Sequence, residues 1–222
     1  MKKYALLLLF LLLFYGCAVP PQPADHRHDQ PSEFYLYLPK AYTQDRQWPL
    51  FVGIHGAGGS GKDCWSMWQR YADREGYVLI CPSLADAGGG WYQGEGERKV
   101  VDIVNHVYRN YSVEPEMFLV GFSAGAQFVT GLTAHYHSWI KGAAVLSAGN
   151  YMLPTEAAKD VPYLIVIGEK DHAESISRAR GFHDTLRASG FNATLEVLPG
   201  IGHTVPKQAK QLTLSLFRSV NP

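Results

Sequence analysis

The 222-residue chain balances 20 basic against 20 acidic residues, and 46% of it is hydrophobic. That composition supports one domain with a full core. It excludes a nucleic-acid surface, which needs a basic stripe, and a solvating acidic tail.

The first residues form a separate object. Lys2 and Lys3 make a positive n-region, and Ala5 to Tyr15 is an unbroken apolar run. The run is too short to span a bilayer comfortably and suits the h-region of a signal peptide. It ends in Phe14-Tyr15-Gly16-Cys17, which resembles a bacterial lipobox. The sequence therefore predicts a lipoprotein signal peptide over residues 1–16 and acylation of Cys17. Two or three acyl chains there would anchor the protein to a membrane of the cell envelope. Ala18 in place of Asp slightly favours the outer membrane. Loss of Lys2 and Lys3 leaves a small acidic excess.

Residues 17–33 are proline-rich and polar and read as a tether. His26 and His28 within it read as solvated linker rather than metal ligands. Residues 34–222 read as the folded domain. Phe34 to Leu38 alternates as an edge strand should, and Pro49 to Ile54 is an apolar run that enters a Gly-rich loop. Lys62 to Arg74 has helical spacing, and Tyr77 to Cys81 is a short buried strand. Cys64 and Cys81 form an even pair for an oxidising compartment, as a disulfide or as two buried thiols. The loop Pro82 to Gly96 carries Trp91 and Tyr92, which either line a substrate wall or plug the core.

Glu97 to Tyr111 places Val100, Val101, Val104 and Val107 on one helical face. Phe118 to Val120 is a strand, Ala124 to His135 a helix, and Gly142 to Leu146, Tyr163 to Ile167 and Thr194 to Leu198 are further apolar strands. Ser175 to Ala188 and Val205 to Arg218 are amphipathic helices. Apolar strands alternating with helices predict a mostly parallel sheet with helices on both faces. His135 and His137, near a helix end, read as surface groups.

The chemistry concentrates at Gly121-Phe122-Ser123-Ala124-Gly125, a G-x-S-x-G between strand and helix. There a serine projects from a sharp turn, glycines avoid collision on either side, and the following helix points N–H groups at a developing oxyanion. An acid and then a histidine should follow in the chain. Asp171 sits just past the strand Tyr163 to Ile167, where catalytic groups collect in α/β sheets. Glu169, Asp160 and Glu174 are weaker alternatives. His203 lies on a loop with Gly200 and Gly202 after the last strand. The predicted roles are nucleophile for Ser123, general base and acid for His203, and orienting carboxylate for Asp171. The oxyanion hole would combine the N–H of Ala124 with that of Ala57, or else Gly58, in His55-Gly56-Ala57-Gly58-Gly59. His55 is placed among the substrate-lining residues with Trp91 and Tyr92.

These motifs resemble the α/β-hydrolase superfamily over roughly residues 34–220. Within it the match is to small carboxylesterases grouped with polyhydroxybutyrate depolymerases and feruloyl esterases. Dienelactone hydrolases are similar but use a cysteine nucleophile where this chain has Ser123. The resemblance implies ester hydrolysis through an acyl-enzyme, without metal or organic cofactor. Peptidase or thioesterase action by the same triad, or a binding lipoprotein of the same fold, are the competing readings. The short stretch Ser147 to Val161 leaves no room for a large lid, which points to short-chain or aromatic esters.

Overall fold

The computed structural model describes residues 19–84 and 93–222. The leader, Cys17, Trp91 and Tyr92 therefore lie outside the described residues. Eight strands form one sheet: β1 (Arg27–His28), β2 (Phe34–Tyr37), β3 (Trp48–Ile54), β4 (Val78–Pro82), β5 (Val113–Phe122), β6 (Ile140–Leu146), β7 (Tyr163–Gly168) and β8 (Ala193–Leu198). Their order is β1-β2-β4-β3-β5-β6-β7-β8. The pairs β1·β2 and β2·β4 are antiparallel, and all the others are parallel. The expected mostly parallel sheet is present.

Helices cover both faces. On one lie α1 (Gly61–Glu75) and α5 (Lys207–Val220), and on the other α2 (Gln93–Asn110), α3 (Ala124–Tyr136) and α4 (Ala173–Ala188). The central strands are buried on both faces, so they read as continuous apolar runs rather than alternations. Under α1 and α5, Phe51 stacks on Tyr77 with centroids 4.5 Å apart, and Phe118 meets Phe217 edge-on at 5.5 Å. This aromatic layer fixes α5, and the loop leading into α5 carries His203. Truncating a fully buried phenylalanine such as Phe217 to Ala would cost roughly 3–5 kcal/mol.

Three features differ from the expectation. The β5 strand begins at Val113, five residues early, because Val113 and Met117 find partners at Trp48 and Leu50 of β3. Helix α2 begins at Gln93, inside the stretch read as loop. The stretch read as tether is docked from Gln22 onward. The Gln22 side chain donates to the Leu36 carbonyl at 2.6 Å, β1 pairs with β2, and His28 stacks on Phe34 at 4.8 Å. His28 is half-buried rather than solvated because β2 would otherwise leave its outer edge unpaired. Burial holds the imidazole of His28 below its ordinary pKa, with His106 adding repulsion.

Cys64 on α1 and Cys81 on β4 form a disulfide, with Cα atoms 5.9 Å apart. Between β6 and β7 the chain makes one short turn of 3-10 helix, Glu156–Ala158, so that segment forms no large lid. No helix among the described residues is long and apolar enough to cross a membrane.

Candidate active site

Four strands deliver the candidate residues to one end of the sheet, because parallel strands point their carboxyl ends the same way. The strand β3 runs into residues 55–60, β5 into Ser123, β7 into residues 169–172, and β8 into residues 199–206.

Ser123 has φ 55° and ψ −119°, a region that side chains avoid. Two glycines make that turn feasible. A Cβ on Gly121 would lie 2.2 Å from the Gly125 carbonyl oxygen, and one on Gly125 would lie 2.3 Å from the His55 carbonyl oxygen. Both contacts are to backbone, so neither position can accept even alanine without moving the elbow. The Ser123 N–H donates to the Leu146 carbonyl at 2.9 Å, which ties the elbow to β6. Ser147, the first residue after β6, also holds a positive φ of 52°. Sequence gives no signal for this second strained serine.

The acid and histidine loops are laced together. Lys170 N–H donates to the Ile201 carbonyl at 2.7 Å, and Glu169 N–H to the Leu198 carbonyl at 2.9 Å. The Glu169 carboxylate accepts from Gly200 N–H at 2.8 Å. Through that bond Glu169, one of the alternative acids, holds the histidine loop instead. Glu174, another alternative, is paired with Arg178 on the surface.

The lacing brings Asp171 beneath His203. Nδ1 of His203 lies 3.0 and 3.1 Å from the two carboxylate oxygens of Asp171. Nε2 lies 2.9 Å from Ser123 Oγ. The Asp171 carboxylate is fully buried and also accepts the His172 N–H at 2.8 Å. With its proton held at Nδ1 by the carboxylate, the neutral ring presents Nε2 as acceptor to the serine hydroxyl. His172 has an exposed side chain, and only its backbone serves Asp171.

The loop after β3 sits opposite. Gly58 takes φ 72° and Gly59 N–H donates to the Gly56 carbonyl at 3.1 Å, so residues 56–59 form a tight turn with Ala57 and Gly58 exposed at its tip. Ala124, at the first position of α3, belongs to the turn whose N–H groups have no partner within the helix. His55, expected to line the substrate site, is 4% exposed and borders a cavity beneath this loop. Its ring is held by backbone at both ends: Nδ1 donates to the Gly56 carbonyl at 2.8 Å, and Nε2 accepts from Leu84 N–H at 3.0 Å. Burial lowers its pKa from the ordinary value, which suits this neutral form. His55 thus braces the loop. His135, expected at the surface, is about half exposed and its Nδ1 pairs with the buried Glu97 at 2.9 Å.

Phe122 is a site residue that no sequence signal marks, because it fills the variable position before Ser123. Its ring lies over Gly56, where an added Cβ would stand 3.1 Å away, and its centroid is 5.1 Å from that of His203.

Sheet order, elbow and loop positions together define a protein of the α/β-hydrolase class. Within that class the chain belongs to the dienelactone hydrolase family, whose model matches residues 33–213. A feruloyl esterase B from Thermothelomyces thermophilus is 26% identical over 148 residues, 61% of this chain and 51% of the relative. The chain thus spans about half the length of that curated relative. Among solved structures, the fold is shared with poly(aspartic acid) hydrolase-1 from Sphingomonas sp. KT-1, at a TM-score of 0.69 and 18% identity over 83% of this chain and 92% of that one. It is also shared with a poly(3-hydroxybutyrate) depolymerase from Bordetella parapertussis, at 0.68 and 21% over 84% and 85%.

Proposed function

We propose that the protein is a serine carboxylesterase acting on short-chain or aromatic esters through an acyl-enzyme. The observation that carries this reading is the unbroken relay Ser123 Oγ, His203 Nε2, His203 Nδ1 and Asp171. His203 takes the Ser123 proton as Oγ attacks the ester carbonyl carbon. The C=O pair of electrons moves to oxygen, and N–H groups of Ala124 and of Ala57 or Gly58 receive that oxyanion. The imidazolium, stabilised by the buried carboxylate, then protonates the departing alkoxide as the C–O bond breaks. Water, deprotonated by the same histidine, releases the acid and restores Ser123. Membership of the family supports hydrolysis, and the feruloyl esterase relative supports ester substrates.

A fluorophosphonate probe tests the assignment. It should label the wild-type chain and spare Ser123→Ala. Labelling that survives the substitution would overturn it. The lipid anchor at Cys17 is a separate proposal, carried by the apolar run and Gly16-Cys17. Mass spectrometry of the mature N-terminus should find an acylated cysteine, and a terminus at Ala18 or later would overturn it.

A further inference from the structure

A cavity of about 200 Å³ opens beside the elbow, between α1 and the sheet. Its floor is apolar: Met67 and Trp68 of α1, the Cys64 end of the disulfide, Val120 and Leu146. Its mouth is the loop Gly56, Ala57 and Gly59, and Phe122 stands on the catalytic side. That placement matters because Phe122 touches both neighbours. Its ring covers Gly56 at one side and faces the His203 ring at 5.1 Å on the other. The cavity is therefore one side chain away from the groups proposed to transfer the proton.

The polar side chains on the wall, His55 and Asp63, are already engaged. Both ring nitrogens of His55 are bonded to backbone, and the Asp63 carboxylate accepts the N–H and hydroxyl of Ser60, each at 2.8 Å. The space thus rewards apolar surface, and the Asp63 charge near the mouth opposes an anion. An apolar protein cavity of about 150 Å³ accommodates benzene. The present one holds a single ring with a small substituent, or an alkyl group of comparable size.

We propose that this cavity between α1 and β5 is the specificity pocket, and that it takes one neutral apolar group of the ester, up to the size of a substituted benzene ring. The inference rests on the ester-hydrolase reading above and names the substrate class of that site. Met67 is the selectivity-determining residue, since it is half-buried at the wall and its side chain can be changed without touching the elbow.

The test uses the full chain and two ester series. In the acyl arm the alcohol is methanol and the acid grows from acetate through butyrate, hexanoate and benzoate to dodecanoate. In the alcohol arm the acid is acetate and the alcohol grows from methanol to benzyl alcohol and dodecanol. The arm that responds shows which side of the ester carries the group. In the wild type, kcat/KM should rise in one arm up to the six-carbon or ring member and fall for the twelve-carbon one. Met67→Trp should lower kcat/KM for that preferred member at least tenfold, the loss of about two buried methylenes. Methyl acetate, which leaves the pocket unfilled, should lose less than the preferred member. Met67→Leu, similar in volume, should keep the same preferred member. A wild-type profile that climbs steadily to the twelve-carbon esters, or is flat in both arms, would overturn the pocket. So would an equal loss on methyl acetate and on the ring ester in Met67→Trp. Hydrolysis of methyl acetate that disappears in Ser123→Ala reports on the esterase reading alone, so the two can fail separately.

Discussion

Replacing Asp171 by asparagine tests the relay at its most sensitive point. The change keeps shape and size, and the buried site fixes which way the amide must face. Oδ1 of Asp171 accepts the His172 N–H at 2.8 Å, so the carbonyl oxygen of the asparagine stays there. The amide nitrogen then takes the place of Oδ2, 3.1 Å from His203 Nδ1. The retained oxygen stays 3.0 Å from Nδ1, so the ring divides between a tautomer that donates to that oxygen and one in which Nδ1 accepts from the amide N–H. In the second of these the ring proton sits on Nε2, which faces Ser123 Oγ at 2.9 Å. In that tautomer the histidine cannot receive the serine proton. The buried site also loses the negative charge that stabilises the imidazolium. The comparable swap in a serine-protease triad lowers kcat about 10⁴-fold, or about 5.4 kcal/mol of barrier at 1.36 kcal/mol per decade. A fall of about 10³ to 10⁴ in kcat on methyl acetate is expected, with little change in KM and with a melting temperature close to wild type. Activity within tenfold of wild type in a folded Asp171→Asn protein would refute the assignment of Asp171.

The other expectations concern the frame around the relay. Gly125→Ala sets a Cβ 2.3 Å from the His55 carbonyl oxygen. Overpacking of that kind costs about 3 kcal/mol, so thermal unfolding should move down by about 6–12 °C, with activity lost. Reducing the Cys64–Cys81 disulfide, which spans 17 residues, should lower stability by about 3 kcal/mol, read as a lower urea midpoint. Burial holds the folded pKa of His28, His55 and His106 below the ordinary value of 6.5. On acidification the unfolded chain takes up these protons first, so their stabilising contribution is full above about pH 6.5 and is lost as pH falls below it. Urea midpoints at pH 7.5 and pH 5 should show the loss, and His55→Gln should flatten the slope.

Local chemistry makes most of the site legible in the sequence. A G-x-S-x-G between an apolar run and a helical pattern has one geometric use, and the glycines that flank Ser123 are there for contacts under 2.4 Å. Asp171 and His203 stand out by their position just after apolar runs, since parallel strands in one sheet must end on the same side. The apolar runs themselves dictate the sheet, because a strand buried on both faces has no polar positions. What lies beyond the sequence depends on distance through space. That Glu169 bonds Gly200 while Asp171 meets His203 depends on loops 31 and 32 residues apart coming together. The disulfide needs α1 to fold back onto β4. His28 reads as solvent-facing in the sequence because only the pairing of β1 with β2 creates the half-buried edge that holds it. The pocket beside Phe122 combines α1, β5, β6 and the loop after β3. Empty space between elements has no residue of its own to mark it, so only the tertiary structure shows where it lies.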